Sequence, residues 1–112
     1  MSPRGAVGLW LAQRASAVVL AVCVLVHIVV MVYAVRGGLS AGEILGRTRG
    51  SFGWGAFYAV FVVAVAVHAP IGLRAIAIEW LGWRGRSLGL FIHLFALLLL
   101  AMGLRAVWAV VA

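Results

Sequence analysis

Three long apolar runs, parted by two short polar breaks, make up nearly the whole chain, and they extend approximately over residues 9–35, 52–78 and 87–112. A hydrocarbon core of ~30 Å is crossed by roughly 20 helical residues, so each run predicts one transmembrane helix. The first break opens on Gly37-Gly38, which ends a helix. It continues through residues 39–51, where Glu43, Arg47 and Arg49 predict a short amphipathic turn on the membrane surface. The second break, Trp80 to Arg86, is a polar turn with Gly82 and Gly85. Pro70 lies inside the second run, where a missing N–H predicts a kink. The fold class that follows is an all-α membrane protein, a single membrane-anchor domain of three transmembrane helices over residues 1–112.

Composition narrows the chemistry. With 67% hydrophobic and 10% charged residues over 112 positions, no length remains for a flavin, nucleotide or iron–sulfur domain. Redox chemistry on a soluble substrate therefore belongs to another polypeptide. One cysteine, Cys23, excludes an internal disulfide and a cysteine-ligated cluster. The formal charge of +7 comes from nine arginines placed at helix ends, a distribution suited to lipid headgroups or an acidic partner and not to nucleic acid. The first run begins too near the start, and is too long, for a cleaved secretory signal. A bacterial cytoplasmic membrane is the expected address, as a multi-pass protein. Arginine counts of five against four on the two sides leave the orientation open.

The densest chemistry lies in His68-Ala-Pro-Ile-Gly72-Leu-Arg74-Ala-Ile-Ala-Ile-Glu79-Trp80. An imidazole in hydrocarbon is costly unless it is coordinated or hydrogen-bonded. Gly72, one turn on, shares its helix face and is expected to leave a flat space beside the ring. Arg74 lies nearer the polar boundary, within expected reach of an anionic group. Ligand, gap and cation together suit a b-type haem with its propionates at the membrane surface.

The pattern His-x-x-x-Gly-x-Arg-x-x-x-x-Asp/Glu in a second transmembrane helix resembles the cytochrome b anchor subunits of succinate dehydrogenase and fumarate reductase. His68, Gly72, Arg74 and Glu79 carry it, with glutamate where aspartate is commoner. Family members have a Ser-x-x-His-Arg-x-Ser-like run at the start of the first helix. This chain has Trp10-Leu11-Ala12-Gln13-Arg14-Ala15-Ser16: the arginine and later serine align, and Trp10 and Gln13 replace the earlier serine and histidine. The resemblance spans nearly the whole chain. It implies half of a haem-binding helical bundle, completed by a second anchor chain, similar or identical, with an iron–sulfur and a flavoprotein subunit attached. The chain itself would be non-catalytic, with its amino terminus cytoplasmic. His68 would be an axial ligand of haem b, Arg14 and Arg74 anion partners, and Trp10, Gln13, Arg14, Ser16, Glu79 and Trp80 the quinone end. Gln13 would donate to a quinone carbonyl and Trp10 stack on its ring.

His27 lies about 21 Å beyond Gln13 along the first helix, at a different depth from His68. It is either the ligand of a second, outer haem or a packing histidine, and Ser16, Leu20 and Cys23 continue its face. His93 is expected to make a propionate or interhelical hydrogen bond, and Gly8, Gly89 and Gly103 to be helix-packing positions. Glu79 has the alternative of pairing with Arg84 or Arg86, and the tryptophans of serving as interfacial anchors. Two rival functions remain: a cytochrome b subunit of another electron-transfer complex, and a haem-free small transporter or assembly protein.

Overall fold

The computed structural model describes residues 2–112. Among them are four helices, α1 (Pro3–Arg36), α2 (Ala41–Thr48), α3 (Phe52–Leu81) and α4 (Arg86–Val111), and three of these are long and apolar enough to cross a membrane. The molecule is 49 Å in its longest dimension, close to the ~40–45 Å of a bilayer with its headgroup regions. The end that holds the start of α1 and the α3–α4 turn is the near end; α2 lies at the far end.

Each helix boundary has a local cause. The Ser2 hydroxyl accepts from the Gly5 amide, and Pro3 occupies a first-turn position where no N–H is needed, so α1 starts six residues before the expected Leu9. The same serine cap recurs at Ser40, which accepts from the Glu43 amide, and at Ser51, which accepts from the Trp54 amide. The amphipathic segment is thus a real eight-residue helix. Gly82 ends α3 in the left-handed conformation at φ +64°, with its own amide on Ile78 O and the Trp83 amide on Ala77 O. A side chain there would be strained, and this is why the turn needs glycine. α3 remains helical through Pro70, which is buried.

Helix α3 is the central element and packs on α1 along one side and on α4 along the other. It meets α4 tightly at Gly103, where a Cβ would lie 2.5 Å from Val62 Cγ1. Gly103 is therefore a packing position as expected. Gly8 and Gly89 pack against no other helix among the described residues: nothing lies within 4 Å of a Cβ at either. At the near end Ala77, Leu88 and Ile92 form a small core, Leu88 being only 2% exposed, with Leu73, Ile78 and Trp83 against it. Most other large apolar side chains face outward, where lipid tails or partner helices cover them.

The far end is tied by backbone groups. The Thr48 hydroxyl donates to Val110 O at 2.8 Å, and the Gly50 amide donates to Val111 O at 2.8 Å. The end of α2 thus satisfies carbonyls that the last turn of α4 leaves without helical partners.

Candidate haem and quinone site

Four of the expected site residues meet between α1 and α3. His68 and Gly72 lie on the α1-facing side of α3; Gln13 and Ser16 lie on the α3-facing side of α1. Ser16 is buried, and its hydroxyl is 3.4 Å from His68 Nδ1 and 3.1 Å from the backbone oxygen of Gln13. The second contact decides the first. A hydroxyl has one proton, and the carbonyl of Gln13 can only accept it. Towards His68 the Ser16 oxygen is then free to accept, an arrangement that suits the neutral ring with its proton on Nδ1 and its lone pair on Nε2. That is the tautomer in which imidazole binds a metal through Nε2, with its other nitrogen held by an outer partner.

The gap at Gly72 is filled differently from expectation. A Cβ there would lie 3.4 Å from Gln13 Nε2, so the missing side chain makes room for the amide of Gln13 on that side. Gln13 Oε1 is buried without a hydrogen-bond partner. The amide head of Gln13 therefore sits beside the His68–Ser16 pair with one acceptor unspent.

Arg74 does not join this cluster. Six residues at about 100° each turn it some 240° around α3 from His68, onto the side that meets α4. There it lines a small pocket with Arg84 and Leu88. Arg14 faces outward on α1, its guanidinium 5.6 Å from the Trp10 ring centroid. Glu79 and Trp80 also face outward, Trp80 at 82% exposure. The six expected quinone residues thus divide into an inward pair, Gln13 and Ser16, and an outward set of four.

His27 belongs to a second, separate arrangement. Its Nδ1 is 3.3 Å from the Tyr58 hydroxyl, and its ring meets Tyr58 and Phe61 edge-on with centroids 5.8 and 5.7 Å away. Tyr58 precedes His68 by ten residues, about 15 Å along α3, so the two histidines do sit at different depths. The face of α1 that carries His27 is inward as expected, Ser16 and Cys23 being buried. Beside His27 lies an apolar cleft of about 970 Å³ between α1 and α4, floored by α3 and reaching Thr48 of α2. Trp54 lines it and stacks on Tyr58 at 5.9 Å, so this tryptophan turns into the bundle.

Among the described residues, His93 makes no interhelical hydrogen bond. It faces outward on α4, and its Nδ1 donates to Gly89 O of its own helix at 2.7 Å. Among the described residues, no group of three or more His, Cys, Asp or Glu converges as a metal site.

No curated protein and no solved structure matches this chain. A family model does match, and it covers residues 1–104, from the cap of α1 to the last third of α4. Three apolar helices agree with it, and the chain belongs to the succinate dehydrogenase/fumarate reductase transmembrane subunit family.

Proposed function

We propose that the chain is the haem- and quinone-binding anchor of its complex, passing electrons between the iron–sulfur subunit and membrane quinone. The observation that carries this reading is the Ser16 hydroxyl between His68 Nδ1 and the Gln13 carbonyl, because it leaves Nε2 as a free donor of an electron pair. A haem b bound at His68 supplies a one-electron store next to a quinone that needs two electrons and two protons. Ser16 fixes the ring and its tautomer. A second protein ligand would have to come from another chain, since His27 is about 15 Å away along the bundle.

The outward residues at the near end supply one wall of the quinone pocket. Arg14 presents a cation and Trp10 a flat ring, while Glu79 and Trp80 stand at the end of α3 beside them. The iron–sulfur subunit and the second anchor chain close the other walls. Gln13 has its amide within the cluster and Oε1 unspent, so it serves as the acceptor of a hydroxyl proton and not only as the donor the sequence suggested. The flavoprotein subunit performs the succinate or fumarate chemistry, and this chain is non-catalytic by itself. The assembly sits in a bacterial cytoplasmic membrane with the near end and amino terminus cytoplasmic.

A second haem at His27 is supported by the adjoining cleft of about 970 Å³ and by a hydroxyl, on Tyr58, that can hold the ring nitrogen facing it. The deciding experiment is a dithionite-reduced minus oxidised spectrum with pyridine haemochrome quantification on the purified complex. His68→Ala is expected to remove one haem, and His27→Ala to remove only a second. Full haem content in His68→Ala refutes the assignment, and a haem-free wild-type complex leaves a haemless quinone-reactive anchor.

A further inference from the structure

We propose that Arg74 and Arg84 form a binding site for the phosphate group of an anionic membrane phospholipid. The pocket between the end of α3 and the start of α4 has a volume of about 180 Å³ and is lined by Arg74, Ile78, Arg84, Gly85, Leu88 and Gly89. Two arginines from different segments line one small space, and no acidic residue lines it with them. Arginine presents a planar fork of donors that matches phosphate oxygens, and two like charges facing one space are best relieved by an anion between them.

The start of α4 adds to the same field. Its cap is Gly85, which has no side chain to accept from the first-turn amides, and the first turn holds no acid. The first backbone bond of the turn is Gly89 N to Gly85 O, which leaves the amides of Arg86, Ser87 and Leu88 without helical acceptors. Gly89 faces open space, so nothing blocks the approach to that turn.

The position selects a lipid over a soluble anion. The pocket lies at the near end of the bundle, where α3 leaves the apolar layer, with Trp80 and Leu81 exposed beside it at 82% and 75%. A phosphodiester with acyl chains would place its charge between the arginines while its tails cover that apolar surface. At this volume the pocket takes one headgroup phosphate and not a macrocycle. The site is independent of the His68 reading, since Arg74 is turned away from His68.

The test uses the delipidated complex and native mass spectrometry, with dioleoylphosphatidylglycerol as the probe. Arg84→Gln and Arg74→Gln are each expected to weaken binding of one lipid per copy of this chain about tenfold, the effect of losing one charge-assisted hydrogen bond. Arg84→Lys is expected to recover part of the loss. Arg105→Gln, at the far end, serves as the control and is expected to bind like wild type. Gly89→Val fills the pocket without meeting a neighbour and is expected to weaken binding with the fold intact. Equal binding in all variants, or equal loss in Arg105→Gln, overturns the proposal. Displacement of the lipid by inorganic phosphate alone would show a soluble-anion site and overturn the lipid assignment.

Discussion

Substituting alanine for Gly103 tests the α3–α4 packing that lines the far-end cleft beside His27. The new Cβ would lie 2.5 Å from Val62 Cγ1, 2.9 Å from Cγ2 and 3.2 Å from Cβ. Carbon atoms in good contact are ~3.5–4.0 Å apart, so the deficit is about 1 Å. Val62 cannot swing clear, because a valine in a helix is held in essentially one rotamer and its Cβ is itself too close. The helices must part, and overpacking of this kind costs about 1–3 kcal/mol. Alanine also gains about 0.5–1 kcal/mol over glycine as a helix former, which offsets part of the cost. Gly8→Ala and Gly89→Ala receive the same gain with nothing within 4 Å to meet. The difference between Gly103→Ala and these two therefore isolates the clash, at about 1–3 kcal/mol. Reversible unfolding in mixed micelles, followed by far-ultraviolet circular dichroism, measures it. Val62→Ala combined with Gly103→Ala is expected to recover most of the loss, as the two side chains share one contact. A Gly103→Ala variant as stable as Gly89→Ala refutes the reasoning.

Ser16→Ala leaves the His68 Nδ1 proton without its acceptor, at about 1–3 kcal/mol for an unpaired buried group. In the complex it is expected to lower haem occupancy and raise the midpoint potential of the haem that remains, read by redox titration; an unchanged potential would remove Ser16 from the site. Tyr58→Phe takes the hydroxyl from His27 and is expected to lower only the far-end haem, with the His68 haem intact by haemochrome count. Thr48→Val removes the 2.8 Å bond to Val110 O, a loss of about 1 kcal/mol. Amide exchange at Gly50 is expected to quicken about fivefold, while exchange in the middle of α3 stays unchanged.

The three spans were legible because apolar length is decided residue by residue along one helix. The cap Ser2-Pro3 was equally visible, yet apolar length marks only the span from Leu9, and the helix starts at the cap before it. The separation of Arg74 from His68 was also within reach of the sequence, since six residues of helix do not return to the same face. Motif spacing drew the two together where helical rotation parts them. The pairing of Trp10 with Arg14 is a plain i, i+4 contact. What no single helix reveals is rotation of one helix against another. That Ser16 meets His68 while His27 meets Tyr58 depends on how α1 and α3 are turned about their axes. The outward turn of His93 and the tie between Thr48 and Val110, 62 positions apart, have the same origin.

That last tie has a consequence for biosynthesis. Thr48 and Gly50 leave the ribosome well before Val110 and Val111, so the far-end loop waits for its hydrogen-bond acceptors until α4 has been inserted. The cleft beside His27 is bounded by that loop and by α4, and it takes its final form only once α4 is in place. Any group destined for the far end must then enter after the chain is in the membrane, while the Ser16–His68 contact, made by α1 and α3 alone, is available one helix earlier.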